Sequence, residues 1–449
     1  MKLKTKFVCN QCGSTFSQWA GQCTQCGVWN AISEETVIKV VPRSGQYANQ
    51  RSVVTHVEEV VLQAESRMDC GLTELNRVLG GGLVDGSVVL IGGDPGIGKS
   101  TLLLQTLANL STQYPILYIT GEESLQQVAM RAKRLQLPLA GLKLLAETHV
   151  ETILDHVKKE SPRIIVIDSV QTVFTDTLNA APGGVSQVRE SAAQLVRFAK
   201  MTQTAVFLVG HVTKDGSLAG PRVLEHMVDC VLYFEGESDS RFRVIRAIKN
   251  RFGAVNELGI FAMTDRGLKE VSNPSAIFLS RQPTPTPGSA VMVTWEGSRP
   301  MLVEVQALVD DASGPQAKRV TAGLEHNRLA ILLAVLHRHG GIATFDQDVF
   351  VNVVGGVKIS ETGSDLALLA AVVSSLRNRV FASDTIIFGE IGLAGEIRPV
   401  QSGQERLKEA VKHGFKRAIV PEANAPKQPI GIEVHPVKHL QEMLALAEG

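Results

Sequence analysis

An α/β protein with a small cysteine-rich module before it and an α+β region behind it is predicted from three observations. Apolar runs typical of buried strands alternate with helical patterns between residues 61 and 272. Two C-x2-C pairs lie near the start, and a segment rich in Pro, Ser and Thr follows the alternating part. We therefore expect a module at 1–30, a linker at 31–60, a main domain at 61–272, a second linker at 273–289 and a last domain at 290–449.

Length and charge narrow the class of protein further. The chain has 449 residues, which suits two or three domains, and 44% hydrophobic residues, which is enough for real cores. Lys+Arg and Asp+Glu are 45 each, so any contact with nucleic acid must come from local loops. Since no apolar run has membrane-spanning length and no signal region follows the basic start, we expect a soluble, cytoplasmic protein with no membrane partner.

Four cysteines form the pattern C-x2-C-x10-C-x2-C, namely Cys9, Cys12, Cys23 and Cys26. Four thiolates at this spacing suit a structural Zn²⁺ with no open position for chemistry. Two reduced or redox-active C-x-x-C pairs are the alternative. A module this small cannot build a large core, so metal should hold it together, with Trp19 and Trp29 covering the site.

A glycine-rich loop between an apolar strand and a helical pattern is the strongest motif of the chain. It reads G-x-x-x-x-G-K-S and predicts a site for ATP and Mg²⁺ formed by Gly93, Asp94, Pro95, Gly96, Ile97, Gly98, Lys99, Ser100 and Thr101. Glycines let the backbone N–H groups surround phosphate, and the helix N-terminus adds a positive dipole end. Lys99 can reach the phosphates, and Ser100 can offer its hydroxyl to Mg²⁺. The alternative is a glycine-rich turn that only starts a helix.

Two carboxylates stand at the ends of later apolar strands. Glu122 can polarise the attacking water during hydrolysis, and we prefer it to Glu123. A helix N-terminal acid, stabilised by the dipole, is the alternative. Asp168 closes a buried strand in a Walker-B pattern and should join Ser100 around Mg²⁺. Apolar strands ending in Asp are common, so this assignment depends on the glycine loop that precedes it.

Three further polar side chains follow strands. His211 either senses the state of the γ-phosphate or is a plain hydrogen-bonded loop histidine. Lys249 and Arg251 flank Asn250 at the end of another strand, and residues two apart on an extended backbone point the same way. They can meet a phosphate or form a solvated basic turn, and the spacing leaves both readings open.

The layout resembles the bacterial RadA/Sms DNA-repair family over the full chain. The cysteine pairs, the glycine loop with its approach from Gly71, and the run from Lys249 to Gly253 carry the resemblance. It implies a RecA-type ATPase in the centre and, from about residue 290, a Lon-protease-like domain with a ribosomal S5-like fold. It also implies a ring, most simply a homo-hexamer, that acts in DNA damage and stress responses.

The resemblance implies a helicase-like motor on single-stranded DNA. Such a motor would promote branch migration of branched DNA intermediates in homologous recombination, beside a recombinase of the RecA type. Lys249 and Arg251 would reach a neighbour's nucleotide, which makes Lys99, Glu122, Asp168, Lys249 and Arg251 the expected catalytic set. The loops after Asp168 and after His211 would face DNA. A nucleotide-switched, zinc-bearing recombination adaptor without motor activity is the alternative.

The last domain departs from active Lon-type proteases, which need a Ser nucleophile and a Lys base. Alignment of the family pattern puts Gly363 at the Ser position, with Ser364 one place off, and Gln404 at the Lys position. We therefore expect a degenerate domain kept as a scaffold for ring assembly and DNA contact. An ATP-dependent protease with an unusual dyad of Lys358 and Ser360 is the remaining alternative.

Overall fold

The computed structural model describes residues 4–37, 56, 66–211, 221–235, 241–271, 273, 275, 277–279, 286–312, 314 and 316–447. Its contacts divide the chain into two compact units, Met1–Glu270 and Val271–Gly449. Most of the predicted linker at 31–60, the Pro-rich centre of the second linker and the predicted loop after His211 lie outside the described residues.

The cysteine module is a three-stranded antiparallel sheet within its described part. Strand β1 (Lys4–Cys9) pairs with β2 (Thr15–Phe16) on one side and β3 (Ile32–Val37) on the other. Strand β3 stands where the sequence predicts the start of a linker. The polar sequence of β3 does not predict a strand. The strand forms because it pairs with β1 and because Ile32 is buried beside Cys9 and Cys23, and both are tertiary contacts.

The rest of the first unit alternates strands and helices in the predicted manner. Its elements are β4 (Arg67–Met68), α1 (Thr73–Leu79), β5 (Leu83–Val84), β6 (Val88–Gly92), α2 (Lys99–Leu110), β7 (Ile116–Thr120), α3 (Leu125–Arg134), β8 (Leu142–Ala146), α4 (Val150–Glu160), β9 (Ile164–Asp168), α5 (Val185–Thr202), β10 (Ala205–Val209), α6 (Pro221–Glu225), β11 (Cys230–Glu235), β12 (Phe242–Asn250), β13 (Leu258–Thr264) and β14 (Gly267–Glu270).

The main sheet of this unit has the order β14-β13-β12-β11-β6-β10-β9-β7-β8. The strands from β11 to β8 run parallel, and β12, β13 and β14 extend the sheet antiparallel. Both faces are covered, since Val89 and Ile91 of β6 pack into one core and Val88 and Leu90 into another. Parallel strands with two covered faces read as continuous apolar runs, and their carboxyl ends share one edge.

The second unit is an α+β domain around a mixed sheet. Its elements are β15 (Ser289–Glu296), β16 (Arg299–Asp311), β17 (Arg319–Ala322), α7 (His326–Gly340), β18 (Gln347–Val353), α8 (Asp365–Arg377), β19 (Thr385–Ile387), β20 (Glu390–Ile391), β21 (Ile397–Arg398), α9 (Gly403–Lys412), β22 (Arg417–Pro421), β23 (Glu433–Val437) and α10 (Leu440–Leu446). The sheet order is β17-β18-β16-β15-β19-β22-β23, and the apolar helix α8 is buried nearly all round.

The predicted fold class is confirmed, with a mostly parallel α/β sheet between a cysteine module and an α+β domain. Across the part of the chain that the structure describes, we find no helix long and apolar enough to cross a membrane.

Candidate functional site

The glycine loop connects the end of β6 at Gly92 to the start of α2 at Lys99. Gly98 has a φ of +118°, and a Cβ there would come within 3.0 Å of the Met263 Cε atom. Gly96 has a φ of +78° with open space around it, so its requirement is conformational. Both positions therefore need glycine for their backbone conformation, since the Met263 Cε atom ends a flexible side chain that can move aside.

Lys99 lies buried under this loop with 4% of its surface exposed. Its Nζ donates to the carbonyl oxygens of Gly93 at 2.7 Å and Asp94 at 2.8 Å, and it lies 3.3 Å from His211 Nδ1. Burial lowers the pKa of Lys99 to about 8, against the opposing effect of three carboxylates, Asp168, Glu122 and Asp94. The contact with His211 is not visible in the sequence.

Glu122 follows β7 and faces this lysine from the next loop. Its carboxylate lies 3.1 Å from His211 Nε2 and accepts a hydrogen bond from the Ser169 hydroxyl. The hydrogen bond from His211 holds the pKa of Glu122 below its ordinary value, so this carboxylate is ionised at neutral pH. His211 thus bridges Lys99 and Glu122, two residues that the sequence assigned separately.

Glu123 points to different partners. Its carboxylate pairs with Arg131 of α3, and its backbone N–H donates to the Thr120 hydroxyl at 3.1 Å. Ser124 beside it caps α3 in a capping box with Gln127. Glu123 therefore has local structural contacts, whereas Glu122 has contacts with the residues around the glycine loop.

Asp168 ends β9 opposite Thr120 of β7 in the parallel register, with 8% of its surface exposed. It accepts a hydrogen bond from the hydroxyl of Tyr118, which is buried in the centre of β7. A buried tyrosine hydroxyl needs a polar partner. The presence of Tyr118 within an apolar strand is the sequence signal that could have indicated this contact. Burial and the neighbouring Asp168 raise the pKa of Tyr118 well above its usual range, so it stays a donor.

These residues fit a nucleoside triphosphate with Mg²⁺. Lys99 supplies a buried ammonium at the N-terminus of α2, and carboxylates lie at or just after the ends of the neighbouring strands β7 and β9. Ser100 stands in the first turn of α2, and Ser100 and Asp168 are the residues that would hold the metal. Mg²⁺ would neutralise charge on the phosphates, and the chain itself binds and orients them.

Lys249 and Arg251 lie away from the glycine loop of their own chain. Through Val231, Lys249 is in register with Leu90 in the middle of β6. Arg251 lies nearer the amino end of β6, since its N–H donates to the Asp229 carbonyl and the Asp229 N–H donates to the Val88 carbonyl. The glycine loop follows the carboxyl end of β6, a strand of five residues that is roughly 13 Å long. The Lys249 Nζ donates to the carbonyls of Glu225 at 2.6 Å and Val228 at 2.8 Å.

Arg251 is 60% exposed in its side chain and lies 3.4 Å from the buried carboxylate of Asp229. Burial, and then the charge of Arg251, lower the pKa of Lys249 below its usual value. The structure thus does not bring the two cations to the glycine loop of the same chain.

One buried amide, that of Gln187 in α5, contacts several main-chain groups of the loop after Asp168. Its Oε1 accepts from the Thr175 N–H at 2.9 Å, and its Nε2 lies 3.1 Å from the Thr175 and Leu178 carbonyls and 3.0 Å from that of Ala180. Sequence reasoning missed Gln187, because a glutamine on a helix face carries no signal of such contacts.

In the cysteine module the four sulfur atoms lie within 4.8 Å of one another. Cys9 and Cys26 are 3.7 Å apart and Cys12 and Cys23 3.5 Å apart, sulfur to sulfur. Tetrahedral zinc with Zn–S bonds of about 2.3 Å requires sulfurs about 3.8 Å apart, so the set fits Zn²⁺. Trp19 and Trp29, which the sequence predicts to cover this site, are 59% and 67% exposed.

Freshly purified protein should contain one zinc per chain, as measured by elemental analysis. Cys23→Ser should lower the metal content, because a tetrahedral thiolate site loses a ligand. Cys70→Ser and Cys230→Ser are matched controls, since both thiols are buried outside the cluster. Wild-type protein with less than about half a zinc per chain would contradict the structural zinc site.

In the second unit, Ser364 and Gln404, which the sequence pattern places beside the protease Ser position and at the protease Lys position, make structural contacts. The Ser364 hydroxyl is buried and donates to the Glu361 carbonyl at 2.9 Å. Gln404 Nε2 donates to the Asn424 carbonyl at 2.9 Å. Lys358 and Ser360 are exposed and line the same cavity as Ser364, with a volume of about 750 Å³.

Comparison with known proteins places these features in families. A family model described as an AAA domain matches residues 56–217, one described as a rubredoxin metal binding domain matches 7–34, and one described as subunit ChlI of Mg-chelatase matches 297–424. The AAA domain establishes the chain as an ATPase that uses ATP and Mg²⁺, and the rubredoxin-type match with the clustered cysteines supports Zn²⁺.

Full-length relatives agree with these matches. A DNA repair protein RadA of Pseudomonas aeruginosa is 66% identical over 99% of this chain and 98% of its own. The proteins of that name from Escherichia coli and Bacillus subtilis are 57% and 47% identical, over 99% and 100% of this chain and 98% and 99% of their own. The chain therefore belongs to the RadA family of DNA repair proteins.

Proposed function

We propose that this protein is a DNA-stimulated ATPase motor that moves on single-stranded DNA and promotes branch migration of recombination intermediates. The observation that carries the proposal is the position of Lys249 and Arg251, whose side chains contact Glu225, Val228 and Asp229 and not the glycine loop that contains Lys99. Cations placed there cannot serve their own glycine loop, but they suit the loop of a neighbouring chain. Sites shared between chains couple hydrolysis to movement in a ring, and we propose a homo-hexamer.

Within each pocket, the residues have separate proposed roles. Lys99 binds the β- and γ-phosphates, Ser100 and Asp168 hold Mg²⁺, and Glu122 accepts the proton of the attacking water. The choice of Glu122 over Glu123 is supported by its contacts with His211 and Ser169, whereas Glu123 is paired with Arg131. Lys249 and Arg251 of a neighbour would stabilise charge on the transferring phosphoryl group.

The second unit is proposed to be a scaffold for ring assembly and DNA contact. The hydroxyl of Ser364 is committed to a main-chain carbonyl, and Gln404 has no basic group to accept a proton. This arrangement supports a domain without peptidase activity. A recombinase of the RecA type is the proposed protein partner, as the family resemblance implies.

ATP turnover with and without single-stranded DNA tests the motor proposal. We expect single-stranded DNA to raise ATP turnover several-fold. In a branched DNA substrate, we expect strand displacement or branch migration only when ATP is hydrolysed. Turnover that is indifferent to DNA, with no movement of a branched substrate, would support a nucleotide-switched adaptor instead.

A further inference from the structure

The hydrogen-bond direction between Lys99 and His211 is fixed by chemistry. A lysine ammonium only donates, so His211 Nδ1 is the acceptor of the 3.3 Å contact. A neutral imidazole with an accepting Nδ1 carries its proton on Nε2. That N–H donates to the Glu122 carboxylate at 3.1 Å. One imidazole ring therefore connects the phosphate-binding lysine to the carboxylate proposed to activate water.

We infer that His211 is a positioning residue that holds Glu122 in place while Lys99 changes partners. The inference rests on the proposed role of Glu122. The three acceptors around the Lys99 ammonium match its three N–H groups, and the contact with His211 is the longest of them. A phosphate oxygen that takes up Lys99 would replace this contact first.

The other end of the ring does not depend on that exchange. Glu122 is held from two sides, by His211 Nε2 and by the Ser169 hydroxyl. The main chain is also held at this point, since the Gly210 N–H donates to the Ile91 carbonyl at 2.9 Å and the His211 carbonyl accepts from Gln171 Nε2 at 3.4 Å. The imidazole therefore keeps the carboxylate oriented after the lysine has left.

Two amide substitutions separate the two ends of the ring. In His211→Gln the carboxamide reaches the position of Nε2, so it can donate to Glu122 without contacting Lys99. In His211→Asn the shorter carboxamide reaches the position of Nδ1, so it can accept from Lys99 without contacting Glu122. His211→Ala removes both contacts, and Glu122→Gln is the reference for a lost base.

We expect His211→Gln to keep kcat for ATP hydrolysis within about threefold of wild type, because its hydrogen bond to a charged group remains. His211→Asn and His211→Ala should lose about 10- to 100-fold in kcat, the range for a lost hydrogen bond to a charged group. KM for ATP should change little in all three, because Lys99 and the glycine loop are intact. Binding of a non-hydrolysable ATP analogue, measured directly, reports on folding of the pocket.

The outcomes separate this inference from the proposed function. Wild-type kcat in His211→Ala, or a higher kcat in His211→Asn than in His211→Gln, would overturn the positioning role while leaving Glu122 as the base if Glu122→Gln is inactive. Wild-type kcat in Glu122→Gln would overturn the proposed base, and with it the inference. If Glu122→Gln is inactive, and His211→Gln keeps activity whereas His211→Asn and His211→Ala do not, the results support both the base role of Glu122 and the positioning role of His211.

Discussion

Lys99→Ala should lower ATP turnover by about 10²- to 10³-fold, the usual cost of removing one charge-stabilising donor from an active site. The ammonium is the buried cation beneath the glycine loop, so the phosphates would lose their point charge and the carboxylates their counter-ion. Nucleotide binding should weaken together with turnover. Steady-state hydrolysis with saturating single-stranded DNA, and titration with a fluorescent ATP analogue, measure the two effects.

Lys143→Ala is the matched control for this change. Lys143 is an exposed lysine on β8 that pairs with Glu160, and surface pairs of this kind contribute little to stability. It should therefore hydrolyse ATP as the wild type does. Normal DNA-stimulated turnover in Lys99→Ala would refute the assignment of the glycine loop as the phosphate site.

Lys249→Ala should lose about 10³-fold in turnover while it still binds ATP, zinc and DNA, because a cation supplied in trans acts on the transition state. Its own glycine loop is untouched, since the Lys249 ammonium donates to the carbonyls of Glu225 and Val228 and not to that loop. Mixing Lys249→Ala with Lys99→Ala chains should restore part of the activity. In randomly mixed rings of equal proportions, about a quarter of the interfaces would join an intact loop to an intact lysine.

Lys269→Ala is the control, because Lys269 is an exposed lysine on β14 of the same sheet. In mixtures of Lys269→Ala and Lys99→Ala chains, the activity should equal that of the Lys269→Ala chains present and should not rise above it. If rings shown to be mixed recovered no activity at any ratio, Lys249 would have to act within its own chain or directly on DNA.

The contiguous parts of the site could be predicted from the sequence. The glycine loop, the paired cysteines and the apolar strand that ends in Asp168 each depend on residues a few positions apart. Their geometry is local, so spacing alone carries the information. The fold class followed for the same reason, because the alternation of strands and helices is written along the chain.

The contacts that complete the site could not be predicted, because they join residues far apart in the chain. His211 meets Lys99 only because β10 lies next to β6, and Tyr118 meets Asp168 only because β7 lies next to β9. The position of Lys249 likewise depends on the pairing of β12 with β11. Strand order within the sheet decides each contact, and nothing in one sequence states that order.

The contacts of Gln187 link several main-chain groups of the loop after Asp168 to one side chain. A carboxamide has two N–H groups and one oxygen, and this single side chain serves four main-chain groups between Thr175 and Ala180. A change of its rotamer would release all four at once, leaving buried polar groups without partners. These four main-chain contacts are therefore kept or lost together, whereas the Thr175 hydroxyl keeps its separate contacts with Glu151 and Gln194.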